Sequence, residues 1–343
     1  MRRIVRTITT GLCLSLLLLT ANQAHADDSD VQTVAAKEPV TVSVLIRTMD
    51  TPGRSGQSGI LEMRMGNSAP FSVMLDTGSV GLRLWGSQPP AAKMTTRTVH
   101  SFLNGTRVPG LLGTAPMTFA GATTKLDVPF QLINTTSSYI QQWKNLNVVG
   151  ILGIGVGKGD LTNPLVALPD VLGLRWSVHF ARNVGARGGR MGALVLGDQA
   201  PTDATMHFVL PYIGENVNGA RLWNDHAADG CWTFGAGREQ CVPTWFDSGF
   251  TVMRVKGKQF AHVPVTSTDL VRPGTRVRLA AGSSAFVGDR FVAGDTGSRN
   301  DVRVIPRGRP GINTGNSYFF DFTVAYDVVS GDLYLSDPSR KGN

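Results

Sequence analysis

Residues 71–85 read FSVMLDTGSVGLRLW. A short apolar run leads to Asp76, a turn of Thr77, Gly78 and Ser79 follows, and a second apolar run leaves the turn. A carboxylate directly after a buried strand is costly to desolvate unless hydroxyl and backbone N–H groups surround it. The turn supplies both kinds of donor, and its glycine lets the backbone approach closely. Taken alone, the same residues also fit a surface Asx-turn.

Residues 245–255, WFDSGFTVMRV, repeat this plan in the other half of the chain. An apolar approach leads to Asp247, and Ser248, Gly249 and an apolar run follow. Two such turns, each flanked by strand-like residues, are hard to reconcile with two unrelated surface turns. The repetition therefore predicts two carboxylates that act as a pair.

The composition indicates a large, β-rich protein. The 343 residues are 42% hydrophobic, and 40 glycines and 18 prolines punctuate many short apolar runs. The formal net charge of +8 is spread along the chain, with a modest group of arginines between residues 272 and 309 that also contains acids. We therefore expect no nucleic-acid partner.

The N-terminus has the pattern of a secretory signal peptide. Three arginines within the first six residues precede an apolar stretch over residues 12–19, and Ala24 and Ala26 form a small-x-small cleavage pattern. We expect residues 1–26 to be removed and residues 27–39 to form a loose polar segment. The mature protein is then periplasmic or secreted. No later segment is long enough to span a bilayer, so no membrane anchor is expected.

The cysteines predict one disulfide. Cys13 leaves with the signal peptide, and Cys231 and Cys241 remain in a chain that is exported to an oxidising compartment. A local disulfide between them would lie shortly before Asp247. A two-cysteine metal site is the alternative, but no nearby histidine spacing completes it, so no metal is expected.

Other stretches give the organisation of the chain. Residues 60–65 and 71–75 read as a hairpin, residues 163–174 as one short helix, and residues 317–329 with 332–335 as a final strand hairpin. The glycine-rich run VVGILGIGVGKG at 148–159 fits neither a dinucleotide fingerprint nor a phosphate loop, so it is interpreted as buried strand and turn.

Taken together, these residues resemble the pepsin-like aspartic proteases, and the similarity covers most of residues 40–337. It is carried by several motifs in one order: GILEMRMGNSAPFSVML, Asp76-Thr77-Gly78-Ser79, Gly150-Ile151-Leu152-Gly153, GALVLGD at 192–198, Asp247-Ser248-Gly249, and GNSYFFDFTVAYDVVSGDLYLSD. The two cysteines also match a small disulfide that this family has just before its second catalytic loop.

The resemblance implies an all-β, bilobal fold with two β-barrel-like lobes, a central cleft and few short helices. Residues 40–200 would form the N-terminal lobe and residues 201–343 the C-terminal lobe, each with one catalytic aspartate. The implied activity is that of an exported, monomeric aspartic endopeptidase. It would need no cofactor, would cut peptides or unfolded proteins, and would work in acid because one carboxyl must stay protonated.

The resemblance also assigns roles. Asp76 and Asp247 would hold a water between them and share one proton. The remaining positions would support the two loops or cover the cleft: Thr77 and Ser248 through crossed hydrogen bonds, Ser79 by orienting Asp76, the loop glycines Gly78 and Gly249, Leu152-Gly153 behind the first loop, and the flap residues Phe102, Leu103 and Gly105.

The chain departs from the family pattern at several of these places. Phe250 stands where a hydroxyl residue is usual, and Asn313-Thr314 where two apolar residues are usual. Arg83 takes the place of a tryptophan, which falls two positions later. The flap tyrosine has no clear counterpart. The alternative hypothesis is therefore a non-catalytic pepsin-fold protein that binds or inhibits a partner.

Overall fold

A computed structural model gives the structure of the chain. It describes residues 38–338, apart from residues 52–53, 87–91, 102–106, 134–142, 144–146, 185–189, 282–289 and 295–299. The predicted signal peptide, nearly all of the segment 27–39, and the flap residues Phe102, Leu103 and Gly105 lie outside the described residues.

The described residues are mostly β-strand, which confirms the all-β prediction. The strands are β1 (Val40–Thr51), β2 (Arg54–Met65), β3 (Phe71–Asp76), β4 (Val80–Trp85), β5 (Lys93–Ser101), β6 (Arg107–Ala115), β7 (Met117–Phe119), β8 (Ala122–Thr123), β9 (Val128–Ile133), β10 (Val148–Ile154), β11 (Arg175–Val184), β12 (Arg190–Leu196), β13 (Met206–Val209), β14 (Tyr212–Glu215), β15 (Arg221–Trp223), β16 (Ala228–Phe234), β17 (Gln240–Trp245), β18 (Met253–Lys256), β19 (Arg276–Ala281), β20 (Arg290–Val292), β21 (Val302–Ile305), β22 (Gly311–Asn313), β23 (Thr323–Asp327) and β24 (Asp332–Ser336). In the described part of the chain, three short 3-10 helices (Pro164–Ala167, Asp170–Gly173, Lys258–Phe260) and the α-helix α1 (Ser317–Asp321) accompany them.

Two predicted elements were wrong in detail. Residues 163–174 form two 3-10 helices rather than one helix, because Leu168 is extended before Pro169, which has no N–H to continue the helix. The start of the predicted final hairpin is α1 rather than strand. Its apolar residues are all buried, and a short buried run carries no period that separates a helix from a strand.

Among the described residues, the strands form three sheets. The largest contains fifteen strands, in the order β13-β24-β23-β11-β12-β1-β2-β3-β10-β4-β9-β6-β5, with β7 paired to β2 and β8 paired to β7. A second sheet has the order β20-β19-β16-β17-β22-β18-β21, and β14 pairs with β15 alone. The last two strands thus return to the first sheet, after residues 228–313 have built the second. The division into lobes at residues 200/201 stays a prediction.

The same local topology positions both aspartate turns. In the first sheet, β10 runs parallel to β3 and antiparallel to β4, with Gly153 level with Asp76, so the β3–β4 turn lies at the end of β10. In the second sheet, β22 runs parallel to β17 and antiparallel to β18, with Asn313 level with Trp245 and Arg254. A shared middle strand therefore fixes each turn from both sides.

Buried apolar side chains from both sheets form the core around these turns. Cys231 and Cys241 lie opposite one another on β16 and β17 and form a disulfide, as the sequence predicts. Beside it, Trp232 donates its indole N–H to the hydroxyl of Thr244 at 2.9 Å. The disulfide thus joins the strand that leads to Asp247 to its neighbour. In the described part of the chain, no helix has the length and apolar character needed to cross a bilayer.

Candidate active site

Asp76 ends β3, and the turn that follows it supplies hydrogen bonds to both of its carboxyl oxygens. The backbone N–H of Gly78 donates to Oδ1 at 2.8 Å, and the hydroxyl of Ser79 donates to Oδ2 at 2.6 Å. The residue is only 8% exposed. These donors replace the water that the buried carboxylate loses.

Asp247 follows β17 and is also 8% exposed. Its carboxyl accepts one hydrogen bond from a backbone N–H, as that of Asp76 does, and one from a side-chain amide instead of a hydroxyl. The backbone N–H of Gly249 donates to Oδ1 at 3.0 Å, and the side-chain amide of Asn313 donates to Oδ2 at 2.5 Å. Phe250 has no hydroxyl to offer, and its ring lies under the guanidinium of Arg254 at 3.9 Å. The amide therefore comes from β22, not from the turn itself.

Thr77 and Ser248 tie the two turns together through buried, reciprocal hydrogen bonds. The N–H of Thr77 donates to Oγ of Ser248 at 3.0 Å, and the N–H of Ser248 donates to Oγ1 of Thr77 at 2.9 Å. Each hydroxyl then donates onward across the junction, Thr77 to the carbonyl of Phe246 at 2.7 Å and Ser248 to that of Leu75 at 3.0 Å. The structure thus brings together predicted residues from both halves of the chain.

Gly78 and Gly249 let the two carboxyl groups meet. A Cβ at Gly78 would lie 2.3 Å from Cγ of Asp247, and one at Gly249 would lie 2.4 Å from Cγ of Asp76. Each glycine therefore donates to the carboxyl of its own turn and lies against the carboxyl of the other. We call Oδ1 of each aspartate, which accepts the N–H of the glycine in its own turn, the inner oxygen, and Oδ2 the outer oxygen.

The environment raises the pKa of Asp247 to about 8. Burial is the main cause and the charge of Asp76 is the second, while the hydrogen bonds from Asn313 and Gly249 oppose them. Asp247 therefore keeps a proton at neutral pH. A carboxylic acid beside a carboxylate can donate and accept protons at one place, which is what general acid–base catalysis requires.

Residues behind the turns hold them in place. The hydroxyl of Tyr326 on β23 donates to the carbonyl of Phe246 at 3.3 Å, and burial raises the pKa of this tyrosine, which keeps it neutral. The N–H of Gly155 donates to the carbonyl of Ser79 at 2.8 Å, and a Cβ at Gly153 would lie 2.7 Å from that residue. Leu152-Gly153 therefore lies behind the first turn.

Arg83 is almost fully buried beside the first turn, with 1% of its side chain exposed. It donates to the carbonyl of Val80 at 2.8 Å and forms an ion pair with Asp160. Nδ1 of His100, on β5, lies 2.9 Å from both Arg83 and Asp160. Burial lowers the pKa of Arg83, and the charge of Asp160 opposes that shift. The ion pair thus connects β4, β5 and the loop after β10.

Sequence reasoning missed Asp225, a partly buried carboxyl behind the first turn. Its Oδ2 accepts hydrogen bonds from the N–H groups of Val156 and Gly157 at 2.8 and 3.0 Å. Burial raises its pKa. A Cβ at Gly155 would lie within 3.0 Å of both this carboxyl and the carbonyl of Thr77. Asp225 therefore fixes the loop behind the first turn, and no motif in the sequence marks it.

Other features of the described residues do not form part of this site. A concave space of about 690 Å³ lies over β1 and β2, near Thr41, Arg47 and Arg64, and includes neither aspartate. Cys231, Glu239 and Cys241 lie close together, but the two sulfurs are bonded to each other and are not thiolate ligands. Among the described residues, the paired carboxyls are therefore the arrangement best suited to acid–base chemistry.

The raised pKa of Asp247 predicts that folding stability falls as the pH rises, and that Asp76→Asn makes this fall smaller. A carboxyl with a raised pKa binds an extra proton on folding, so its contribution is fully present below the ordinary value of 3.8 and is lost as the pH rises towards about 8. Asp76→Asn removes a charge that opposes ionisation of Asp247. We expect it to raise the melting temperature by about 2–5 °C near pH 7 and by less near pH 4. Calorimetry at both pH values measures this, and an equal gain at both would contradict it.

Comparison of the sequence with models of known protein families finds no match, and comparison with curated proteins finds none either. The functional argument therefore rests on the geometry of the site and on the motifs in the sequence.

Proposed function

We propose that this chain is an exported aspartic endopeptidase with a bilobal, pepsin-like fold. One observation carries the proposal: two buried carboxyls, each in an Asp-hydroxyl-Gly turn, contact each other's glycines and are tied by reciprocal hydrogen bonds. A structural aspartate does not need a second carboxyl against it, because two like charges at this distance cost stability. Such a cost is expected where chemistry depends on it.

In the proposed mechanism, Asp76 is the base and Asp247 the acid. Ser79 and Gly78 both donate to Asp76 and stabilise its ionised form, whereas Asp247 retains its proton. Asp76 takes a proton from a water held between the pair, and the water oxygen attacks the carbonyl carbon of the peptide bond. Asp247 donates its proton to the carbonyl oxygen. The proton on Asp76 then passes to the leaving nitrogen as the C–N bond breaks, and one hydroxyl of the tetrahedral intermediate returns its proton to Asp247 as the new carboxyl forms.

The substrate class follows from this mechanism. An extended peptide or an unfolded protein presents a peptide bond to such a pair, and no metal or organic cofactor has a step to perform. The N-terminal signal pattern supports export to the periplasm or out of the cell, and the proposed enzyme is a monomer. Because Asp247 holds its proton up to about pH 8, activity should extend from acid to neutral pH.

A second candidate function is supported by Phe250. The proposed mechanism needs donors on both carboxyls, and the residue that would supply a hydroxyl to Asp247 is an aromatic ring against Arg254. A pepsin-fold protein that binds or inhibits a partner without catalysis is therefore the alternative. However, the amide of Asn313 donates a hydrogen bond to Oδ2 of Asp247, and this replacement donor favours the enzyme.

The test is cleavage of an unfolded protein by the purified mature chain across about pH 3 to 8, the range in which paired carboxyls titrate. We expect cleavage that persists to neutral pH and is blocked by a statine-type peptide. The same peptide without the statine hydroxyl, which cannot take the place of the catalytic water, serves as the control and should inhibit far less. Folded protein that leaves a broad set of unfolded substrates intact would favour the binding alternative.

A further inference from the structure

The outer oxygens of the two carboxyls have unlike partners. On Asp76, Oδ2 accepts the hydroxyl of Ser79 at 2.6 Å, and on Asp247, Oδ2 accepts the amide of Asn313 at 2.5 Å. We infer that Asn313 is a positioning residue that replaces the absent hydroxyl at position 250 and confines the shared proton to the inner oxygen of Asp247. The inference deepens the proposed function and rests on it for its catalytic meaning.

The orientation of the Asn313 amide is fixed by its own contacts. Its Oδ1 accepts the backbone N–H of Gly315 at 2.8 Å, so its NH2 group must be the side that faces Asp247. The residue is buried, and it ends β22 between Trp245 and Arg254 of the neighbouring strands. A rotation of the amide would break both bonds and set its carbonyl oxygen against a carboxyl oxygen. The donor direction is therefore set by the fold.

This direction decides which oxygen can carry the proton. An amide NH2 group only donates, so a protonated Oδ2 on Asp247 would have no acceptor there. The hydroxyl of Ser79 differs, because it can donate or accept as it rotates. Only Oδ1 of Asp247, which faces Asp76, is left for the proton. The amide therefore directs the acidic proton towards the place where the peptide carbonyl would lie.

Other ionisable groups also act on this pair. Asp76 faces Asp247 directly, and the neutral hydroxyl of Tyr326 lies behind the two turns. Arg83 acts on Asp76 through its charge, and Asp225 acts on Tyr326. The side-chain donor to the outer oxygen of Asp247 is Asn313. A change at Asn313 therefore alters the donor to that oxygen and leaves the surrounding charges in place.

The test is a direct titration of Asp247 by NMR of protein labelled at the aspartate carboxyl carbons. Asn313→Leu removes the hydrogen-bond donor, and the leucine side chain fills the space so that no water can replace it. The pKa of Asp247 should therefore rise by about one pH unit. Adding Phe250→Ser to that variant should reverse most of the rise. Asn313→Ala, which is smaller, provides a second reading should the leucine variant fail to fold, and a smaller rise is expected because water can enter.

Asn316→Ala is the matched control, because this buried asparagine lies three positions on and donates to the carbonyl of Gln57 instead of a carboxyl. It should leave the titration of Asp247 unchanged. A shift of equal size in this control, or no shift in either Asn313 variant, would overturn the inference.

Kinetics then separate this inference from the proposed function. In an active enzyme, the alkaline limb of kcat/KM should move to higher pH with the pKa of Asp247, and kcat should fall about ten-fold as the proton loses its direction. A titration that shifts in a protein without any peptidase activity would support the role of Asn313 and reject the proposed function. If the alkaline limb of kcat/KM keeps its pH while the pKa of Asp247 shifts, the amide of Asn313 has no role in catalysis.

Discussion

Asp76→Asn is expected to abolish peptide hydrolysis and leave the fold intact, whereas Asp247→Asn is expected to lose both activity and stability. Removal of either member of an acid–base pair should reduce kcat/KM by roughly 10³-fold or more. The two variants should nevertheless differ in melting temperature, because the donors around the two carboxyls are not equivalent.

The outer oxygen of Asp76 faces the hydroxyl of Ser79, which can rotate and accept a hydrogen bond from a new side-chain amide. The backbone N–H of Gly78 still donates to the remaining oxygen. Asp247 instead lies between two N–H donors, from Gly249 and Asn313. An asparagine at position 247 must direct its own NH2 group at one of these N–H groups. Two hydrogen-bond donors then face each other, and neither has an acceptor there.

This conflict should cost Asp247→Asn about 1–3 kcal/mol of folding stability relative to Asp76→Asn. Mass spectrometry of the peptide products measures the activities, and thermal unfolding near pH 4, where keeping the proton on Asp247 costs little, measures the stabilities. Equal melting temperatures in the two variants would contradict the donor arrangement. Wild-type rates in either variant would remove that carboxyl from the mechanism.

Thr77→Val should produce the largest loss of stability among conservative substitutions at the site, about 3 kcal/mol. The hydroxyl of Thr77 accepts the N–H of Ser248 and donates to the carbonyl of Phe246, and all three groups are buried. Valine has a similar volume but can do neither, so the N–H of Ser248 loses its acceptor and the carbonyl of Phe246 keeps only the hydroxyl of Tyr326 at 3.3 Å. Urea unfolding of the variant and of the wild type measures the difference.

Thr118→Val is the matched control for this substitution. Its hydroxyl pairs with that of Thr123 at an exposed position on β7, so the same chemical change should cost less than about 0.5 kcal/mol. If Thr77→Val is as mild as this control, the reciprocal bonds do not hold the turns together. Ser248→Ala should match Thr77→Val, because it removes another pair of buried bonds of the same kind, one from the N–H of Thr77 and one to the carbonyl of Leu75.

The sequence predicts the aspartate turns and the all-β fold because both depend on short-range patterns. An apolar run, an aspartate, a hydroxyl and a glycine can be read within a few residues, and their repetition pairs the two turns. The disulfide could likewise be predicted, since Cys231 and Cys241 are near neighbours in sequence and lie opposite each other on adjacent strands.

The parts that escaped prediction depend on strand register. Asn313 lies 66 residues from Asp247 and reaches it only because β22 pairs with β17. Arg83 and Asp160, 77 residues apart, form their ion pair through a loop that no motif marks. Helix α1 escaped for a different reason: its apolar run is too short for periodicity to distinguish helix from strand.

The return of β23 and β24 to the first sheet affects when the two aspartate turns can form a supported pair. These strands follow both turns along the chain, and β23 carries Tyr326, whose hydroxyl supports the second turn. A growing chain folds as it emerges, and its long-range strand pairs form late. A partly made chain therefore contains the first aspartate turn but lacks its partner or the strand behind it. The order of the strands along the chain therefore delays a fully supported carboxyl pair until β23 has been made.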